Sequence, residues 1–166
     1  MRYIVYTILF VICLITASQS YAGENINLPR YASLSSNEVN MRAGPGKQYP
    51  IKWVYQRKGY PIEIIREYDI WYKIRDIEGY SGWIYKGLIS SKRMALVTIP
   101  PSTERQTTYL YRKTSTQSDQ IALLENGAQV AIDSCNGPWC EISSQGIKGW
   151  IPRKLLWGIY EHEVID

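Results

Sequence analysis

The sequence predicts an all-β chain: two small barrels in tandem behind a secretory leader. Three observations carry this reading. Short stretches alternating apolar and polar residues are separated by turn residues, no window sustains a capped 3.6-residue period, and the second half of the chain repeats the first.

The leader comes first. Arg2 precedes an apolar run from Tyr3 to Ile15 that only Thr7 interrupts, and Ser20-Tyr21-Ala22 offers small residues at the positions a signal peptidase reads. Residues 1–22 are therefore predicted as a signal peptide. The run is shorter than the about 20 apolar residues of a spanning helix, so no stable membrane insertion is expected after cleavage. The expected location is the periplasm or the exterior.

Residues 23–30 are expected to be a flexible lead-in, and Tyr31–Leu34 a first short strand. Val39–Arg42 alternates like a half-buried strand, and Ala43-Gly44-Pro45-Gly46 then demands a tight loop. Ile51–Val54 resumes extended structure, Lys58-Gly59 turns, and the isoleucine-rich Pro61–Glu67 opens on a proline that a strand start tolerates. After the Tyr68-Asp69 turn, Ile70, Tyr72 and Ile74 alternate with Trp71, Lys73 and Arg75, a period of two. Glu78-Gly79 turns again, Tyr80–Tyr85 is a strand, Lys86–Ile89 one helical turn, and Met94–Val97 a closing strand. Pro100-Pro101-Ser102-Thr103 then reads as linker.

Beyond it the pattern returns. Arg112 answers Arg42 and Ile121 answers Ile51 at an offset of 70, Gly127 answers Gly59 and Trp139 answers Trp71 at 68, and Gly149-Trp150-Ile151 answers Gly82-Trp83-Ile84 at 67. The offset shrinks only in turns, as expected of a duplication. The domains are accordingly placed at 31–97 and 108–160, with a linker at 98–107 and a tail at 161–166. Units this small have one option for hiding an apolar face and their sheet edges, which is to curl into a barrel. The glycine before Trp83 and before Trp150 would permit close backbone approach.

Cys135 and Cys140 flank Asn136-Gly137-Pro138-Trp139, so they are expected to bridge the mouth of a hairpin. Their spacing is poor for zinc and is not the redox Cys-x-x-Cys.

The residues that repeat also resemble a known family. Asn40-Met41-Arg42-Ala43-Gly44-Pro45-Gly46, Lys58-Gly59, Trp71-Tyr72-Lys73-Ile74 and Gly82-Trp83-Ile84 are similar to the bacterial SH3-like domain family. Tyr49-Pro50-Ile51-Lys52-Trp53-Val54, Arg75-Asp76-Ile77-Glu78-Gly79 and Leu156-Trp157-Gly158-Ile159-Tyr160 resemble an exported, tandem, uncharacterised proteobacterial subfamily. The resemblance implies two SH3-like barrels and a binding role, toward peptidoglycan or peptides, in a domain that is rarely catalytic. The second copy departs from the motif, with Lys113-Thr114-Ser115-Thr116 standing where the first has Ala43-Gly44-Pro45-Gly46.

Charge and chemistry narrow the function. Residues 24–100 hold 12 Lys or Arg against 7 Asp or Glu, a net of +5, and residues 101–166 hold 6 against 8, a net of −2. This is too mild for a nucleic-acid binder. The single histidine, His162, lies in a tail expected to fray, which leaves serine, threonine and cysteine without a catalytic base. No metal-ligand spacing, phosphate loop or cofactor motif occurs. Glu63, Glu67, Asp69 and Asp76 could meet across strands as a carboxylate pair, but exposed strand charge explains them more simply. No enzyme activity, metal or cofactor is expected.

What remains is aromatic surface: 14 tyrosines and 6 tryptophans beside one phenylalanine. The candidate groove on the first copy comprises Arg42, Pro45, Lys47, Tyr49, Trp53, Trp71 and Trp83. Arg42 or Lys47 would pair carboxylates, and Tyr49 and Trp53 would cover apolar or sugar faces. The plainer reading, that these aromatics cap the barrel or line the contact between copies, stays open at this point. The expected partners are cell-wall glycan or peptide, or alternatively an envelope protein.

Overall fold

A computed structural model describes residues 27–166. The predicted signal peptide and residues 23–26 of the lead-in lie outside the described residues. The first sheet is built from β1 (Arg30–Leu34), β2 (Val39–Arg42), β3 (Ile51–Tyr55), β4 (Pro61–Tyr68), β5 (Trp71–Arg75), β6 (Ser81–Tyr85) and β7 (Ile89–Ser90), with a 3-10 turn at Lys86–Leu88. The second contains β8 (Met94–Val97), β9 (Thr107–Tyr111), β10 (Gln120–Glu125), β11 (Gln129–Asn136), β12 (Trp139–Ser144), β13 (Ile147–Pro152) and β14 (Leu156–Trp157), with a 3-10 turn at Arg153–Leu155. Their orders, β3-β2-β6-β5-β4-β1-β7 and β10-β9-β13-β12-β11-β8-β14, are the same permutation. The chain is two all-β copies in tandem, as the alternation and the repeat predict.

Each sheet curls around one apolar cluster. Val39, Met41, Ile62, Ile64, Ile74 and Ile84 are buried in the first, and Val97, Leu110, Val130, Ile132, Ile142 and Ile151 in the second. The period of two holds from Tyr72 along β5 and through β6, with Tyr72, Ile74, Gly82 and Ile84 buried; ahead of it the expectation fails, since Ile70 is exposed at the corner and Trp71 is buried. The glycines before the tryptophans are needed for close approach. A Cβ on Gly82 would sit 2.8 Å from the carbonyl oxygen of Arg42, and one on Gly149 2.8 Å from that of Tyr111.

Two expectations change. Met94–Val97 does not close the first copy: β8 pairs with β11 and β14 and opens the second, as β1 pairs with β4 and β7 in the first. The segment read as a linker therefore joins β8 to β9 within the second sheet. A strand that follows directly on the first copy, ahead of a proline-rich stretch, reads from sequence as that copy's end. The equivalence around the first loop is also one residue off. Arg42 bridges Trp83 and Tyr111 bridges Trp150, so Tyr111 is the counterpart of Arg42 and the offset there is 69. The loop bonds agree: Ala43 N donates to Pro50 O and Arg112 N to Asp119 O. Arg112-Lys113-Thr114-Ser115 thus replaces Ala43-Gly44-Pro45-Gly46.

The two copies are docked through polar and aromatic contacts. Glu63, only 5% exposed, accepts from Arg75 Nε and Nη2 at 2.8 and 2.6 Å and from the Tyr160 hydroxyl at 2.8 Å. The Tyr31 ring lies edge-on to Trp157 at 5.3 Å and against Tyr160 at 4.6 Å. Gln129 Nε2 donates to Lys58 O at 3.0 Å. Burial, then the neighbouring Glu63 charge, pushes the Tyr31 hydroxyl up to about 12. Burial and the bond to Glu63 raise the Tyr160 hydroxyl well above the usual tyrosine value, so it remains a donor.

Candidate functional site

The first copy carries a cleft of about 630 Å³ between the glycine loop and the 3-10 turn. Trp71 and Ile70 come from the β4–β5 corner, Tyr85 from β6, Arg42 from β2, and Gly46, Lys47 and Gln48 from the loop. Trp71 is buried and meets Tyr85 edge-on at 6.1 Å. Arg42 clasps the loop, donating through Nη1 to the carbonyl oxygens of Lys47 (3.1 Å) and Tyr49 (2.8 Å). The Tyr49 ring folds over Gly44, where a Cβ would lie 2.6 Å from ring atoms. That glycine is therefore a packing requirement as well as a turn residue.

Of the seven candidate residues, Arg42, Lys47 and Trp71 share this cleft. Pro45 and Tyr49 shape its loop without lining it. Trp53 points elsewhere: on β3 it is 57% exposed and stacks with Tyr80 (6.4 Å between centroids, 10° between planes) in a separate cleft of about 350 Å³. Trp83 alternates outward from Gly82 and Ile84 and is half-buried, edge-on to Tyr68 at 6.4 Å.

The carboxylates flagged in the sequence are mostly engaged. Glu63 holds Arg75 and Tyr160, Glu67 pairs with Lys86, and buried Asp76 accepts from the Tyr55 hydroxyl and the Tyr80 N–H, both at 2.8 Å. Burial, then the bond to Asp76, holds the Tyr55 hydroxyl far above its usual value. No group of three or more His, Cys, Asp or Glu suited to a metal ion occurs among the described residues.

Sequence reasoning missed a second cleft, of about 760 Å³, at the equivalent place in the second copy. Trp139 stands for Trp71, Pro138 for Ile70, Pro152 for Tyr85 and Thr116 for Lys47. Tyr111, in the place of Arg42, meets Trp139 edge-on at 5.8 Å. Arg153 and Lys154 from the 3-10 turn and Ile159, Glu161 and His162 from the tail complete the walls. The offset of 68 that links Trp139 to Trp71 was the signal that pointed there.

The tail does not fray. Cys135 and Ile165 exchange two backbone bonds, of 2.8 and 3.0 Å. Arg153 Nη1 donates to the carbonyl oxygens of Tyr160 (2.8 Å), Glu161 (2.9 Å) and Glu163 (2.6 Å). Cys135 is disulfide-bonded to Cys140, and both are fully buried. This covalent pair occupies the cross-strand position that Glu67 and Tyr72 hold in the first copy.

The match to a known family agrees with the fold. The sequence profile of the family described as "Bacterial SH3 domain" matches residues 35–91 and 104–158. YrvJ of Bacillus subtilis (strain 168), by name a candidate N-acetylmuramoyl-L-alanine amidase, is 25% identical over 130 residues, covering 75% of this chain and 25% of the relative. The chain thus spans about a quarter of that protein. Among solved structures, NlpC1 and NlpC2 of Trichomonas vaginalis are each 16% identical with TM-scores of 0.35. They cover 81% and 78% of this chain, which in turn covers 48% of each of them.

Proposed function

Because the chain belongs to the bacterial SH3 domain family through both of its copies, we propose that it is a non-catalytic recognition module of the cell envelope. It reads cell-wall peptide or glycan through the groove of the first copy. The observation that carries this reading is the first cleft itself, where a buried tryptophan floor meets a cationic wall of Arg42 and Lys47 beside a loop that Arg42 and Tyr49 hold in shape. Such a surface suits an apolar or sugar face with carboxylates alongside. The net charge of +5 over residues 24–100 supports attraction to an anionic wall. The similarity to a protein named as a wall amidase supports a wall-facing, exported role. No described helix is long and apolar enough to cross a membrane. The structural bonds made by Glu63, Glu67 and Asp76 support a role without catalysis.

Retention on purified sacculi at low salt tests this. The chain should co-sediment, and Arg42→Glu with Lys47→Glu should reduce retention about tenfold. Loss of retention by the unaltered chain, or indifference to the double variant, removes the reading.

The second reading, recognition of an envelope protein, rests on another observation. Edge strand β3 exposes Ile51, Trp53 and Val54, with Tyr80 stacked on Trp53. Crosslinking through position 53 in the periplasm should then capture one specific partner, and capture of none discards it.

A further inference from the structure

The two copies differ most in how they neutralise the cation at the start of the 3-10 turn. In the first, Lys86 pairs with Glu67 and lies 4.9 Å from the Tyr72 ring centre. In the second, Arg153 takes the place of Lys86, while Cys135 and Cys140 take the places of Glu67 and Tyr72. The duplication kept the cation and lost its carboxylate.

Arg153 is more than nine-tenths buried, and it makes no bond to a carboxylate among the described residues. The Glu163 carboxylate accepts from Arg93 through both oxygens and from the Tyr160 N–H. The Glu163 carboxylate is thus bonded by Arg93 and not by Arg153, which reaches only the Glu163 carbonyl. All three bonds from Arg153 use Nη1 and end on neutral carbonyls, and its Nε is buried without a partner among the described residues. With Nε closed off by its surroundings, Nη2, which makes no bond among the described residues, is the donor left for a carboxylate.

This cation lines the second cleft. Trp139, Pro138, Leu156 and Ile159 give the cleft an apolar body, while exposed Lys154 and His162 stand at its rim with Glu161. Lys154 offsets Glu161, so the excess positive charge of Arg153 sets the local field, strengthened by the low-dielectric walls.

We propose that the second groove is a binding site in its own right, for an apolar peptide ending in a free carboxylate. The carboxylate seats against Lys154, His162 and Nη2 of Arg153, and the apolar side chains lie over Trp139 and Ile159. The proposal stands apart from the reading of the first groove. Neither Arg42 nor the glycine loop takes part.

The test titrates the full chain with acetyl-Leu-Leu, carrying a free carboxylate, and with its C-terminal amide. The readout is the assigned indole N–H signals of Trp139 and Trp71. The carboxylate form should shift Trp139 and leave Trp71 in place, and the amide should bind at least tenfold more weakly. Lys154→Glu, at an exposed position that leaves the core intact, should weaken binding about tenfold. Arg42→Glu should leave the titration unchanged, which separates this outcome from the sacculus experiment. Equal binding of the amide, indifference to Lys154→Glu, or a shift confined to Trp71 overturns the proposal.

Discussion

The two grooves share one topology and one tryptophan, and nearly everything else about them differs. In the first, the cations come from β2 and the loop, and the walls are complete within the copy. In the second, the loop contributes only Thr116, the cations move to the 3-10 turn, and a tail beyond the last strand supplies the remaining wall. The barrel thus fixes where a cleft forms, through the β4–β5 corner and its counterpart. The charged residues that line the cleft differ between the copies on that shared frame. A worn motif in a second copy is therefore a poor guide to whether its cleft has been lost.

The comparison can be broken in graded ways. The largest effect should come from what the copies hold in common. Gly82→Ala and Gly149→Ala each force a Cβ to within 2.8 Å of a carbonyl oxygen on the neighbouring strand. Backbone yields little, so each should destabilise its copy by about 3 kcal/mol, the upper part of the range for overpacking. Urea unfolding followed by strand circular dichroism should give similar losses for both, and unequal losses would show that the copies pack differently here.

Next comes what only the second copy has. Cys135→Ser with Cys140→Ser opens a short loop, so the chain-entropy effect is about 2 kcal/mol. Because Cys135 also pairs with Ile165, hydrogen exchange in the tail should rise in the same variant while exchange in the first sheet stays as it was. A uniform rise across both sheets would contradict that localisation.

Smaller again is the seam. Tyr160→Phe removes one hydrogen bond to buried Glu63, which keeps Arg75, so about 1 kcal/mol should be lost in thermal unfolding. No loss at all would mean that the rings of Tyr31 and Trp157 hold the copies without that bond.

The smallest effect is one of pH. Burial pushes the Glu163 carboxyl up, but its bonds from Arg93 and the Tyr160 N–H, with the charges of Arg93 and Arg153, outweigh this and hold it below the usual carboxylate value. A depressed folded value adds stability at pH above the unfolded value, about 4.3 for glutamate, and that stability disappears as pH falls through the folded value. The tail should stay docked through pH 5 and loosen only in stronger acid, as read from tail amide exchange. Loosening already near pH 6 would contradict this assignment.

Much of the fold was legible because it is written in local signals. The alternation from Tyr72 to Arg75 and the two Gly-Trp-Ile triplets placed strands, core face and close approach, whereas Ile70, read as the first member of the core face, lies exposed before β5 while Trp71 is buried. Where the sequence misled, identity stood in for geometry. Arg112 looks like Arg42, yet strand pairing puts Tyr111 there, because one gap falls in the loop after β10 rather than within the earlier match. The role of β8 was hidden because a four-residue apolar strand fits either neighbour, and only pairing decides. The candidate site was half legible. Arg42, Lys47 and Trp71 converge, but Trp53 and Trp83 lie on surfaces that diverge once the sheet curls. The second groove was out of reach because its far wall is a terminal segment, which sequence reasoning expects to be loose.

The bond from Tyr160 to Glu63 and the ring contacts of Tyr31 have one more consequence. They turn a pair of linked beads into a ruler. A polymer long enough to touch both clefts meets a set spacing rather than a swinging tether. Its second contact then gains from the first only when the polymer's own repeat fits that interval.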